Sequence, residues 1–162
     1  MKKLTIAAVL ALSIALTGCT AEKPIESFYI GTGAHQCYAA VGDSLMTATT
    51  TSVRVFDAKG EAVVDKSCNF KYPAVCENAD NAVVYDIGGT KLVYLDGSAL
   101  DAKNNIISAD LSRSGHLALC TEEAGYKGSV TVYAADKTES YKWLSADNWV
   151  VKEAVSPDGE RL

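Results

Sequence analysis

Three short stretches recur along the chain: Val53-Arg54-Val55-Phe56-Asp57, Leu92-Val93-Tyr94-Leu95-Asp96 and Val130-Thr131-Val132-Tyr133-Ala134. Their starts lie 39 and 38 residues apart. All are rich in β-branched, aliphatic or aromatic residues, the kind that fit a pleated, half-buried surface. A turn signal recurs in step with them. Asn78-Ala79-Asp80-Asn81, Ser112-Arg113-Ser114-Gly115 and Ser156-Pro157-Asp158-Gly159 each open on a short polar residue that can cap the turn and close on Asn or Gly. Pro157 suits the second position because its φ is already set. Gly42-Asp43 is a weaker copy, and the intervals from Asp43 to Asn81, Gly115 and Gly159 are 38, 34 and 44 residues. A period near 40 is the strongest constraint in this sequence, because a unit of that size cannot bury its own faces and must stack on its neighbours.

Each period divides into four strands. First strands are expected at 36–41, 70–75, 106–111 and 149–155, and second strands at 44–48, 82–86, 116–120 and, broken, 160–162. Third strands follow at the three matching stretches. Fourth strands are clearest at 62–65 and 140–143 and ill-defined around Asp101. Four antiparallel strands per period is the plan of a β-propeller blade. No helical stripe interrupts the pattern. The expectation is an all-β, β-propeller-like fold of about three four-stranded antiparallel blades plus a partial fourth, preceded by a signal-peptide helix.

The C-terminal part carries further motifs: Ile107-Ser108-Ala109-Asp110, Ser114-Gly115-His116-Leu117-Ala118, Thr121-Glu122-Glu123, Gly125 to Val130, Tyr141-Lys142-Trp143, Ser145-Ala146-Asp147 and the Ser156–Gly159 turn. In these the chain resembles an uncharacterised family of exported bacterial β-propeller proteins, of the WD40-like and quinoprotein-like kind, known only as a domain of unknown function. The 125–130 and 141–147 stretches are the specific ones, whereas the last turn is common to many propellers. The resemblance covers most of the chain, weakly before residue 70. It implies a propeller and supplies no catalytic or ligand-binding residues.

The chain starts Met1-Lys2-Lys3, followed by thirteen uncharged residues at 4–16. That run is short for a membrane span and has the layout of a secretory signal. Leu16-Thr17-Gly18-Cys19 follows, and it resembles the lipobox of bacterial lipoproteins. The resemblance implies cleavage before Cys19 and attachment of diacylglycerol to its sulfur. Residues 1–18 are then a lipoprotein signal peptide, 19–27 a tether and 28–162 the partial propeller domain. Each buried methylene of the lipid contributes roughly 0.8 kcal/mol, so an acylated Cys19 would hold the chain on the extracytoplasmic face of a cell membrane. Loss of Lys2 and Lys3 shifts the formal charge from −5 to −7. An acidic chain of this kind argues against nucleic acid as a partner.

The 144 residues from Cys19 onward hold about three blades and one opening strand. Closed propellers usually have four to eight blades, and an unpaired last strand would be an exposed edge. The chain therefore reads as part of a longer gene product; the rivals are a short protein that completes its sheet by self-association and a small open β-fold.

No assembled catalytic site is legible. Cys37, Cys68, Cys76 and Cys120 allow three disulfide pairings, with 68–76 able to close a small loop, or serve as small buried apolar residues. No CxxC occurs and the two histidines are isolated, so a zinc site is not expected. His116 aligns with Ala82 and Glu160 in the repeat and reads as a tolerant surface position. His35 lies by Gly31-Thr32-Gly33, a connector without the third glycine of a phosphate loop. No GxSxG is present. Trp143 and Trp149 are expected to pack between blades or on the outer rim, an exposed sugar-stacking ring being the less favoured reading. The loop at 121–128 is about four residues longer than its counterpart one blade earlier. Its Glu122, Glu123, Tyr126 and Lys127 mix charge with an aromatic ring, which suits recognition. The expected function is a lipid-anchored binding or scaffold module without catalysis or cofactor. Its partners are the membrane, through Cys19, and an unidentified protein or cell-envelope component. The alternative is the N-terminal propeller portion of a longer exported enzyme of the peptidase or quinoprotein type.

Overall fold

The computed structural model describes residues 27–162. The signal segment, Cys19 and all of the tether except Ser27 lie outside the described residues. Twelve strands form three separate four-stranded antiparallel sheets, each running in chain order. The first holds β1 (Cys37–Val41), β2 (Ser44–Ala48), β3 (Ser52–Phe56) and β4 (Ala62–Ser67). The second holds β5 (Pro73–Glu77), β6 (Ala82–Asp86), β7 (Lys91–Tyr94) and β8 (Ala99–Asp101). The third holds β9 (Ile106–Leu111), β10 (Leu117–Thr121), β11 (Gly128–Tyr133) and β12 (Glu139–Ser145). These are three propeller blades, and the ill-defined fourth strand near Asp101 is a real strand of three residues.

The recurring turns do what their chemistry dictates. Asn78 Oδ1 accepts the backbone N–H of Asp80 at 2.8 Å and of Asn81 at 2.7 Å. Ser112 Oγ accepts from His116 N at 2.8 Å, and Ser156 Oγ from Arg161 N at 2.9 Å. Gly159 closes its turn at φ +81°, and a Cβ there would come 2.3 Å from His116 Nδ1, so glycine is needed twice over. Adjacent turns are also tied, with Ser114 N donating to Pro157 O at 2.9 Å.

The packing explains the period. On β6, Ala82 and Val84 face the first blade, in a cluster with Met46, Ala48, Val53 and Val55. Val83 and Tyr85 face the third blade, with Leu92, Ile106, Leu117 and Leu119. Alternate residues of one strand thus feed two different cores. The same split occurs on β10, where Leu117 and Leu119 turn back to the second blade and Ala118 turns outward to Val130, Val132, Val150 and Val155. Burying each such aliphatic chain contributes roughly 1.5–3 kcal/mol.

Two parts of the expected pattern differ by more than a residue or two. β5 starts at Pro73 rather than at 70, because the preceding residues are otherwise engaged. Phe70 N donates to Thr50 O at 2.9 Å, and buried Asp86 accepts from Lys71 N at 2.7 Å and Tyr72 N at 2.8 Å. The expected strands at 149–155 and 160–162 do not form. A strand is a ladder of hydrogen bonds, and beyond the turn itself these segments share one backbone bond, Ser156 N to Arg161 O at 2.8 Å. Segment 149–155 is held by the third blade instead. Val155 N donates to Asp110 Oδ2 at 2.8 Å, and Val150 and Val155 pack on Ala118, Val130 and Val132.

The four described cysteines are free thiols. Cys37 and Cys68 pack against the first core and Cys76 against the second. Burial pushes Cys37 and Cys120 up to about 11 and Cys76 up to about 12. They are apolar filler and remain protonated near neutrality.

A polar clamp joins the second and third blades at their outer turns. Lys137 donates to Asp96 Oδ2 at 2.9 Å and to Ser98 Oγ, and its ammonium lies 4.5 Å from the Tyr94 ring centroid. Burial opposes ionisation of Asp96, but the donors from Ser98 and Lys137 outweigh it and hold the carboxyl at about 2. An exposed ion pair contributes up to about 1 kcal/mol and the cation–π contact about 0.5–1 kcal/mol. Lys137→Ala should therefore lower stability by roughly 1–2 kcal/mol in denaturant titrations. Because the folded pKa of Asp96 is depressed, its contribution is present above about pH 4 and lost as pH falls towards 2. Over that window the melting temperature of the Lys137→Ala protein should fall less steeply than that of the parent.

Glu153 is buried on the opposite side of the third blade, 8% exposed. One carboxylate oxygen is bonded to the Ser108 hydroxyl and the other, Oε1, is buried without a partner. Burial pushes its pKa up, the Ser108 bond opposes this, and nearby Asp110 adds to the rise. A raised carboxyl pKa means that its stability contribution is intact below about pH 4 and lost as pH rises through the folded value. Glu153→Gln removes that titration. The variant should be more stable than the parent at pH 8, by about 1 kcal/mol or more, with the gap closing by pH 4 in thermal melts.

Candidate functional site

Two concavities stand out. One is a cleft of about 830 Å³ between the outward face of the third blade and segment 150–162, with Tyr141 and Trp143 of β12 on its wall. It is the uncovered side of a sheet. The other, about 560 Å³, lies at the end of the blades where β6 connects to β7, β8 to β9, β10 to β11, and β12 to segment 149–155. Its lining combines polar groups with the exposed rings of Tyr126 and Trp149.

All four residues of the long loop singled out in the sequence, Glu122, Glu123, Tyr126 and Lys127, border this second pocket. The loop is anchored at its root by a buried cross-strand pair, Thr121 Oγ1 to Ser129 Oγ at 2.8 Å. Glu122 N donates to Asn105 O at 3.0 Å, Tyr126 N to Glu123 O at 3.1 Å and Lys127 N to Ser145 O at 2.7 Å. The side chains complete the frame. Asn105 Nδ2 donates to Glu122 Oε2 at 2.8 Å, and Asn104 Nδ2 to Glu123 Oε2 at 3.1 Å. Lys142 of β12 donates to the same oxygen of Glu123 at 2.6 Å. Asn104, Asn105 and Lys142 come from outside the loop, so the frame spans the β8–β9 connection, the β10–β11 loop and the outer strand.

Trp149 is the member that the sequence placed elsewhere. It is 72% exposed rather than packed between blades or on the outer rim, and it lies at the pocket with the Lys127 ammonium 4.8 Å from its ring centroid. Ser145 brings it there by donating from its hydroxyl to Asn148 O at 2.6 Å, which folds the chain back after β12. Gly128 lets the returning chain come close, since a Cβ there would sit 3.2 Å from Val150 Cβ. Trp143, by contrast, lies on the wall of the other cleft and is 43% exposed. Asn104 and Asn105 carried no motif; their position directly before the third period was the available signal.

The Lys142 ammonium donating to Glu123 holds that carboxyl below the usual carboxylate range. An acid so held is a poor proton donor near neutrality. His116 is not at this pocket; it bonds Ser114 Oγ through Nδ1 at 2.8 Å, at the opposite end of the blade. His35 stacks edge-on against Tyr72 with centroids 5.3 Å apart. Among the described residues no three His, Cys, Asp or Glu side chains converge to hold a metal ion. Among the described residues no helix is long and apolar enough to cross a membrane.

Among solved structures, the chain is similar to Hsv2 of Kluyveromyces lactis, a β-propeller, at 12% identity and a TM-score of 0.54. The match covers 78% of this chain and 44% of that one. It is also similar to the calcium-binding protein regucalcin of Agrobacterium tumefaciens strain C58, at 14% identity and a TM-score of 0.41, covering 72% of this chain and 47% of that one. The chain thus spans less than half the length of either propeller. At these identities the Hsv2 likeness speaks for the fold alone, and the regucalcin likeness is too distant to add to it. No curated protein matches the sequence. Residues 20–162 match a family of unknown function, DUF5711, and the chain belongs to that family.

Proposed function

We propose that the chain is a binding module, anchored through a lipidated Cys19 to the extracytoplasmic face of a membrane, that recognises its partner in the pocket framed by Glu122, Glu123, Tyr126, Lys127 and Trp149. One observation carries this reading. Two aromatic rings, Tyr126 and Trp149, are left exposed beside a polar frame that is already braced by its own hydrogen bonds. Exposed rings in a preformed concavity offer apolar surface to a ligand. Binding is favoured over catalysis because the Glu123 carboxylate is already engaged by Lys142 and Asn104. The anchor rests on the Leu16–Cys19 motif and the apolar run before it.

Two measurements test the two halves. Cys19→Ala should move the protein from the membrane pellet to the soluble fraction of expressing cells; retention in the pellet would remove the anchor. For the pocket, Tyr126 is replaced by the photocrosslinker p-benzoylphenylalanine in the membrane-bound protein. Irradiation of intact cells should yield an adduct at position 126 and none when the same group replaces exposed Val63 on β4. Equal labelling at both positions, or none at 126, would refute the recognition site.

A further inference from the structure

The distribution of charge in this pocket identifies the chemistry of its ligand. Four charged side chains line it, Lys103, Glu122, Glu123 and Lys127, and each already has a contact. Glu123 takes hydrogen bonds from Lys142 and Asn104, Glu122 takes one from Asn105, and Lys103 pairs with Glu139 at 3.5 Å. Lys127 rests against the Trp149 ring. Lys103 and Lys127 against Glu122 and Glu123 leave the lining with no net charge, so its field as a whole favours neither an anionic nor a cationic ligand. The groups left over are of another kind. They are the rings of Tyr126 and Trp149, the Thr90 hydroxyl, and the remaining donor and acceptor capacity of Asn104, Asn105, Glu122 and Glu123.

We propose, on the reading of this pocket as a recognition site, that its ligand is a neutral oligosaccharide. A pyranose ring has an apolar C–H face that stacks on an aromatic ring and a rim of hydroxyls, each both donor and acceptor. Trp149 and Tyr126 supply the platforms, and the amides and carboxylates supply partners for paired hydroxyls. Side chains already locked in hydrogen bonds lose little further freedom when they accept such a ligand. The pocket volume, about 560 Å³, is within the usual range for small-molecule sites, roughly 300–1,000 Å³, and takes more than a single sugar ring.

Isothermal titration calorimetry of the full chain in detergent against maltotriose, cellotriose and tri-N-acetylchitotriose tests this. At least one of the three should bind saturably. Its affinity should change less than about twofold between about 50 mM and about 500 mM salt, since no charge pair forms with the ligand. Trp149→Ala should weaken it at least tenfold, Trp149→Phe should restore part of the loss, and Trp149→Ala should lower the melting temperature no more than Lys127→Ala does, because the exposed ring gives up only its contact with Lys127. No heat with any of the three sugars, an unchanged affinity in Trp149→Ala, or a steep salt dependence would each overturn the assignment. The photoadduct at position 126 separates this failure from that of the recognition site. Silent sugars with an adduct that protease digests would remove the glycan and keep the site, by making the partner a protein. Silent sugars with no adduct would remove both.

Discussion

Everything in this fold depends on sheets packing face to face through strands buried on both sides. A single four-stranded blade has no interior. Its middle strands, β6 and β10, become interior only when a neighbour covers each face, and their alternation is written for that: Ala82 and Val84 to one side, Val83 and Tyr85 to the other. Small residues on one face and larger ones on the opposite face let the blades approach without voids. The free thiols belong to the same packing, which is why burial raises their pKa values instead of activating them.

Stacked sheets fix the strand ends, and the strand ends fix the loops. The β8–β9 connection, the β10–β11 loop and the return after β12 emerge at one end of adjacent blades. Residues from distant parts of the sequence, Asn104, Glu123, Lys142 and Trp149, become neighbours there. The hydrogen bonds among them form a preorganised frame, in which Lys142 and Asn104 share one oxygen of Glu123. What remains outward is the exposed aromatic surface of Tyr126 and Trp149.

The third blade meets a different environment on each face. Its inner face is sealed by aliphatic residues. Its outer face carries a cleft, a buried carboxyl with one unpaired oxygen, and segment 149–155 held by Asp110 and by Val150 and Val155. Such a buried unpaired oxygen is costly, and it lies where the regular inter-blade packing gives way. The likeness to Hsv2 covers the shared blades and stops at architecture, since propellers carry many functions.

The sequence by itself determined the architecture. Strand composition, turns opened by Asn or Ser and closed by Gly or Asn, and a period near 40 are local properties, and local chemistry was enough to place most strands to within a residue or two. It also picked out Glu122, Glu123, Tyr126 and Lys127, because a long loop with charge and an aromatic is visible in one dimension. Tertiary structure decided the rest. An extended apolar segment such as 149–155 becomes a strand only if a partner supplies the ladder, and no composition records whether it does. The start of β5 shifted because Asp86, fourteen residues downstream of Tyr72, captures two amides. Trp149 reads from the sequence as packed between blades or on the outer rim; the return of the chain after β12 leaves its ring in water beside Lys127. Contacts between residues remote in sequence made those choices, and their energies depend on distances that a linear pattern does not contain.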